Sequence, residues 1–168
     1  FVLGDFDSLN EDELYELSNA DIPMQQYPSD KNETDLELAL EYAIQAGYHE
    51  ILIVGGLGNR LDQTIGNLSL LTDLRLSTFD IRLDDGVEET FFCRDQAEVK
   101  GRGGDIVSLI PWGSEVTGVV IQNLKWPLYG ETLHPSKTRG ISNEMLGETA
   151  SIKISTGLLL IVHRRADN

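Results

Sequence analysis

The chain is poor in the residues that staple, anchor or metallate a fold. It has one cysteine, Cys93, so no internal disulfide can form, and its place between Phe92 and Arg94 reads as a strand position. A lone thiol fits a reducing compartment, the cytoplasm. The histidines His49, His134 and His163 are scattered without metal-ligand spacing and read as ordinary core or surface residues. No apolar run approaches the roughly 20 residues that cross a bilayer. The longest, Gly157 to Val162, has the length of one buried strand. The N-terminus has no basic patch, long apolar stretch or small-residue cleavage site, and so no signal peptide is read there. Positive charge is scarce too: 13 Lys and Arg stand against 28 Asp and Glu, for a net charge of −15. Such a surface repels nucleic acid, and neither nucleic acid nor a membrane is expected as a partner. It would also repel a nucleotide, unless a divalent cation held by carboxylates reverses the sign locally.

What is present changes character partway along. Phe1-Val2-Leu3 reads as the end of a buried strand, followed by the loop Gly4-Asp5-Phe6-Asp7-Ser8-Leu9. Asn10 to Ala20 carries Leu14 and Leu17 at helical spacing behind Glu11, Asp12 and Glu13, acids that suit the positive end of a helix. Met24 to Tyr27 reads as extended and Pro28 to Glu33 as a polar loop. Thr34-x-x-Glu37 is a capping box opening a helix whose stripe is Leu36, Leu40, Ala43 and Ile44, stopped by Gly47. Glu50 to Val54 reads as a buried strand, Gly55 to Arg60 as a glycine-rich loop, and Leu61 to Leu74 as a helix. That alternation is the grammar of an α/β domain with a mostly parallel, Rossmann-like sheet. From Asp80 onward only short strands appear: 81–83, 89–93, 105–110, 116–121, 151–154 and 158–162. Asp85-Gly86 and Thr156-Gly157 read as tight turns. The expected organisation is therefore an α/β domain over 1–84 and an all-β domain over 85–168.

Three acidic segments fall at the ends of strands or the starts of helices, where open α/β sheets bind ligands. Asp5 and Asp7 form a D-x-D pair whose carboxylates point the same way in extended backbone and can hold one cation. Asp30-Lys31-Asn32-Glu33-Thr34-Asp35 brings more carboxylates, a lysine and a helix N-terminus open to phosphate oxygens. Gly55 to Asp62 adds a flexible turn, Arg60 and Asp62. Each has a plainer reading, as a solvated turn, a helix-start charge or a tight connection. The glycine loop is neither a Walker A loop nor a dinucleotide fingerprint. Their co-occurrence at regular intervals favours a shared site.

Gly4-Asp5-Phe6-Asp7-Ser8, Lys31-Asn32-Glu33-Thr34-Asp35-Leu36-Glu37-Leu38-Ala39, Gly58-Asn59-Arg60-Leu61-Asp62-Gln63 with Asn67, and Gly140-Ile141-Ser142-Asn143-Glu144 together resemble bacterial thiamine pyrophosphokinases. The resemblance runs in order along essentially the whole chain. It implies an α/β catalytic domain joined to a β-sandwich thiamine-binding domain, a homodimer, and thiamine held between domains of different subunits. The implied reaction is attack of the thiamine hydroxyl on the β-phosphorus of ATP, giving thiamine diphosphate and AMP with Mg2+ as cofactor. By resemblance, Asp5 and Asp7 are catalytic carboxylates that organise metal and phosphate, and Asp35 is a further magnesium or substrate carboxylate; an aspartate near the hydroxyl could take its proton, and Asp35 is the candidate. Lys31, Thr34, Arg60, Asp62, Gln63 and Asn67 correspond to ATP contacts, and Ser142 and Asn143 to thiamine contacts. Gln63 stands where many relatives carry histidine and cannot titrate. The family's first strand and its Asp-Gly-Gly turn do not precede Phe1, and an N-terminally incomplete chain is expected.

Two other readings stand beside this one. A thiamine- or nucleotide-sensing module would bind both ligands without releasing AMP. A phosphatase of the haloacid dehalogenase type also opens on D-x-D after a strand, but needs a later lysine and acidic pair on α/β elements and leaves the capped Thr34 helix unexplained. Trp126 is open between stacking on a flat cationic ring and core packing, and Trp112 reads as a turn or sandwich-edge residue. The apolar stretch from Ile152 to Val162 suits either a subunit interface or an ordinary sandwich core.

Overall fold

Asn10 starts the first helix by a reciprocal exchange: its Oδ1 accepts from the Glu13 N–H at 3.0 Å, and Glu13 Oε2 accepts from the Asn10 N–H at 2.9 Å. The computed structural model describes residues 1–6, 9–20, 22–28, 30, 32–58 and 60–166. They fall into two units, Phe1–His49 and Glu50–Asn168.

In the first unit the order is β1 (Val2–Gly4), α1 (Glu11–Asn19), β2 (Met24–Gln26) and α2 (Asp35–Gln45). β1 and β2 pair in parallel, Val2 opposite Met24 and Gly4 opposite Gln26, and α1 supplies the crossover that parallel strands require. Val2 and Leu3 are half-buried rather than buried, and Phe1 stacks on Tyr42 at 4.2 Å. The N-cap of α2 forms as expected on its Thr34 side, where Oγ1 accepts from the Glu37 N–H at 3.2 Å. Of the expected stripe Leu40 is buried and Leu36, Ala43 and Ile44 are half-buried.

The second unit opens with β3 (Glu50–Val54), α3 (Leu61–Leu70) and β4 (Asp80–Asp84), a second parallel β-α-β unit. Antiparallel strands follow: β5 (Glu88–Cys93), β6 (Gln96–Lys100), β7 (Ile106–Pro111), β8 (Val116–Gln122), β9 (Tyr129–Leu133), β10 (Asn143–Glu144), β11 (Thr149–Lys153) and β12 (Leu159–Arg164). They build a six-stranded sheet of order β10-β7-β12-β5-β4-β3 and a four-stranded sheet of order β6-β11-β8-β9. Alternate residues of both sheets face one core: Phe91, Leu109, Leu159 and Ile161 from the first, Val99, Val119, Ile121 and Ile152 from the second. The fold is thus α/β followed by a β-sandwich. Among the described residues no helix is long and apolar enough to cross a membrane.

Several sequence expectations need correction. β3 is the last strand of its sheet and buries only Ile53, leaving Leu52 and Val54 exposed, so it is not a buried strand. The helix expected to reach Leu74 stops at Leu70. Arg94 Nη2 donates to the Thr72 carbonyl at 2.9 Å, with the Leu71 and Asp73 carbonyls at 3.5 and 3.4 Å, closing that end. Asp73 then starts a 3-10 turn over Leu74–Leu76 by accepting from the Arg75 N–H. Ile152, Leu159, Leu160 and Ile161 are buried within the chain, so that stretch belongs to its own core. Cys93 is buried there as well, and burial pushes its thiol up to about 11, an unreactive state.

Candidate active site

In the first unit the two carboxylate segments converge through a glycine. Gly4, at φ 152°, ends β1, and a Cβ there would lie 3.2 Å from Asp35 Oδ2 at the first turn of α2. A side chain here would be strained by the backbone conformation and would push the Asp35 carboxylate back by a few tenths of an ångström. The Tyr27 N–H donates to the Gly4 carbonyl at 2.9 Å, and Gln26 Nε2 to the Asp5 carbonyl at 3.4 Å, tying the loop to the end of β2. Phe6, next in the chain, sits in the left-handed region at φ 61°. A non-glycine residue there is strained, and such strain concentrates at functional sites. Thr34 caps the same helix end to which Asp35 belongs, so Asp5, Thr34 and Asp35 share one locality. Asp7 and Lys31 lie outside the described residues.

The donors here are carboxylate oxygens beside a helix N-terminus, and the site fits a hard cation. No three Asp, Glu, His or Cys side chains gather as a metal cage among the described residues. Mg2+ does not need one: it takes one or two carboxylates and completes its shell with water and substrate phosphates.

In the second unit Arg60, Asp62, Gln63 and Asn67 gather at the start of α3. Gly55, at φ 78°, turns the chain out of β3, and a Cβ on Gly56 would meet Leu83 Cδ2 at 2.9 Å and Ile53 Cγ2 at 3.0 Å. Asn67 reaches back one face of α3 and donates from Nδ2 to the Gly56 carbonyl at 2.9 Å, so the glycine loop is pinned to the helix it precedes. Arg60 and Asp62 form a bidentate pair, Nη2 to Oδ2 at 2.6 Å and Nε to Oδ1 at 3.2 Å, with both side chains about two-thirds exposed. Arg60, then the Gln63 N–H, hold the Asp62 carboxyl below its ordinary range. The pair therefore presents a fixed guanidinium at a helix N-terminus, where a phosphate is favoured.

Ser142 and Asn143 lie where β10 meets β7. Ser142 adopts φ 57°, and its N–H donates to Ser108 Oγ at 3.0 Å, leaving the side chain exposed. Asn143 is buried, and both polar atoms of its amide are engaged. Nδ2 donates to the Trp126 carbonyl at 2.7 Å, while Oδ1 accepts from the N–H groups of Trp126 and Glu144 at 3.0 and 2.9 Å. Asn143 thus clips the Leu124–Leu128 segment in place. Trp126 is 56% exposed and so is not a core residue. Its ring carries the Lys125 ammonium 5.1 Å from its centre, and that lysine pairs with Glu144 at 2.8 Å. Trp112 packs edge-on against Phe92 at 5.4 Å.

Sequence reading missed a buried charged cluster in this unit. His163, 1% exposed on the inward face of β12, has Nε2 at 2.9 Å from Asp105 Oδ2 and Nδ1 at 3.7 Å from Glu89 Oε2. The strand alternation held the signal, since 159, 161 and 163 share a face, and an inward histidine demands a partner.

Comparison with known proteins bears on both halves of the chain. Residues 1–83 match the family model described as thiamin pyrophosphokinase, catalytic domain. Residues 95–159 match the one described as thiamin pyrophosphokinase, vitamin B1 binding domain. The thiamine pyrophosphokinase of Bacillus subtilis is 29% identical over 163 residues, which are 96% of this chain and 76% of that protein. A crystal structure of the thiamine pyrophosphokinase from Bacillus subtilis superposes with a TM-score of 0.87 at 26% identity, over 98% of this chain and 78% of the other. The one from Geobacillus thermodenitrificans gives 0.84 at 26% identity, over 99% and 77%. With both halves matched in order and the architecture shared over 98% of its residues, the chain belongs to the thiamine pyrophosphokinase family.

Proposed function

We propose that the chain transfers the pyrophosphoryl group of ATP to the hydroxyl of thiamine, releasing AMP and thiamine diphosphate. The observation that carries this is the locality of Asp5, Thr34 and Asp35: carboxylates and a capped helix N-terminus brought close at Gly4, whose backbone conformation disfavours a side chain. The hydroxyl oxygen forms a bond to the β-phosphorus, the bond from that phosphorus to the oxygen bridging the α-phosphate breaks, and the electron pair leaves on AMP. Such transfer needs in-line positioning and neutralised oxygens more than covalent help from the protein.

In this reading Asp5, Asp7 and Asp35 hold Mg2+, which when bound neutralises phosphate charge. Asp35 also receives the hydroxyl proton. Lys31, Thr34, Arg60, Asp62, Gln63 and Asn67 form the ATP site, supported by the Arg60–Asp62 fork and by the grip of Asn67 on the glycine loop. Ser142 contacts thiamine directly. Asn143 serves it by fixing Trp126, whose exposed ring offers a face to a flat cationic heterocycle. The catalytic half is taken as 1–84 and the thiamine half as 85–168, a division supported by the two family matches. A homodimer is the proposed assembly; the exposed Trp126, Tyr129 and Leu146 suit a surface closed by a second copy. The cytoplasm is the proposed compartment, in keeping with a single buried free thiol.

The test is nucleotide analysis with ATP, magnesium and thiamine. AMP should appear only when thiamine is present. Asp35→Asn is expected to cut kcat at least about a hundredfold while leaving the fold intact, the usual scale for losing a positioned acid–base group. Binding of both ligands without AMP would instead identify a sensing module.

A further inference from the structure

The Glu89–His163–Asp105 cluster lies at the base of the segment that carries Ser142 and Asn143. Asp105 is buried, and its side chain collects three donors: His163 Nε2 at 2.9 Å, the Arg102 N–H at 3.0 Å and the Ala166 N–H at 2.9 Å. Its main chain does something different. The Asp105 carbonyl accepts from the Met145 N–H at 2.8 Å, and the Met145 carbonyl accepts from the Gly104 N–H at 2.9 Å. The next pairs are Glu144 opposite Ile106 and Asn143 opposite Val107. A shift of Asp105 therefore reaches Met145 first, then Asn143 through the two β7–β10 pairs that follow and, through its amide, Trp126. The packing leaves little room for a substitute arrangement, since a Cβ on Gly101 would fall 2.5 Å from Asp105 Oδ2 and 2.8 Å from His163 Nε2.

We propose that His163 is a positioning residue for thiamine recognition: hydrogen-bonded to Asp105 through Nε2, with Nδ1 unbonded but 3.7 Å from the Glu89 carboxylate, it holds in place the strand start on which Ser142 and Asn143 are seated. The clamp rests on the reading of Ser142 and Asn143 as the thiamine-contacting segment.

The charges around His163 decide its state. Glu89 faces it from β5 and carries Arg82 of β4 at 3.1 Å; Asp105 faces it from the start of β7. Asp84 of β4 lies nearby, paired with Arg165 at 2.6 Å, while Arg102 lies 3.5 Å from Asp105 and Lys100 lines the adjoining cavity of about 490 Å³. Glu89 and then Asp105 raise the His163 pKa above the ordinary value, against the opposing effect of burial. The imidazolium is the clamping form, so the clamp is complete below the ordinary histidine pKa of about 6.5 and loosens as pH rises through the higher folded-state value.

The experiment is steady-state kinetics on the full chain from about pH 6 to about pH 9, varying thiamine and magnesium–ATP separately, for the native protein and for His163→Gln. Glutamine keeps a donor for Asp105 but cannot titrate. The native KM for thiamine should rise about fivefold across this range, the scale of one weakened buried hydrogen bond, while the KM for ATP stays level. His163→Gln should show a raised thiamine KM that no longer follows pH. A flat native thiamine KM, or equal shifts in both KM values, overturns the clamp.

If His163→Gln does not fold, or if no thiamine diphosphate forms at any pH, the clamp is read without turnover. Trp126 emission is followed in a Trp112→Phe background alongside the NMR titration of His163. Emission that tracks the imidazole supports the clamp, and emission indifferent to it overturns the clamp. Absence of product at every pH counts against the proposed reaction alone.

Discussion

Asn143 turns its amide inward, where each of its polar atoms replaces a water that the Trp126 and Glu144 main chain would otherwise bind. Its burial means that truncation leaves those groups without partners. Asn143→Ala is expected to lower unfolding free energy by about 1–3 kcal/mol, measured by urea titration, and to raise the KM for thiamine by loosening Trp126. Asn143→Asp keeps the acceptor but sets a buried carboxylate oxygen against the Trp126 carbonyl, so at neutral pH its loss should be no smaller than that of alanine. Of the three left-handed non-glycine residues among those described, Phe6, Asn123 and Ser142, the first and last mark the same kind of place in opposite halves of the chain. Each adjoins a residue that resemblance assigns to the site, and the backbone strain is independent of that resemblance.

Among the elements, α3 depends on a side chain from outside itself. Arg94, at the end of β5, supplies the hydrogen bonds that the carbonyls after Leu70 cannot find within the helix. Arg94→Met keeps most of the apolar stem and removes the guanidinium. It should cost about 1–2 kcal/mol, with the loss concentrated in faster amide exchange at the end of α3. The elements also show what the sequence could reveal. The helix starts at Glu11 and Asp35 and the continuous apolar run of the strand expected over 158–162 are legible because local chemistry alone sets them. Gln96–Lys100 is not, because β6 is an edge strand that buries only Val99 fully. The two-residue β10 has no periodicity to read and is defined only by its pairing with Ile106 and Val107 of β7. Asn10-x-x-Glu13 is a capping box in its own right, a signal beyond the charge of Glu11, Asp12 and Glu13. Asp5, Asp35, Arg60 and Asp62 stood out by residue type and spacing. The fork of Arg60 with Asp62 and the inward amide of Asn143 are tertiary facts that spacing does not encode.

Across the whole molecule, charge and pH set the limits of stability. His163 holds the Glu89 carboxyl below its ordinary range, with help from Arg82. For Asp105, burial pushes upward, but hydrogen bonds from Ala166, His163 and Arg102 outweigh it. Carboxylates depressed in this way contribute stability that is complete above their unfolded pKa and is lost as pH falls through the folded value. His163, raised, contributes below its unfolded pKa and loses that contribution as pH rises through its folded value. The urea midpoint should therefore be greatest between about pH 4.5 and about pH 6.5 and decline on both sides, and a midpoint still climbing above that window would contradict the buried cluster. The net charge of −15 adds self-repulsion that salt should relieve, and it makes divalent cation the natural companion of a nucleotide on this surface. Both family halves lie on one chain, which makes a single labelling experiment the most direct test of its chemistry. The full chain is given magnesium, thiamine and ATP carrying phosphorus-32 at the γ position. Pyrophosphoryl transfer places all the transferred label in thiamine diphosphate and leaves unlabelled AMP in equal amount. Label in thiamine monophosphate with release of ADP would mean attack at the γ-phosphorus, and label in free phosphate alone would mean hydrolysis; either result contradicts the reaction assigned to this chain.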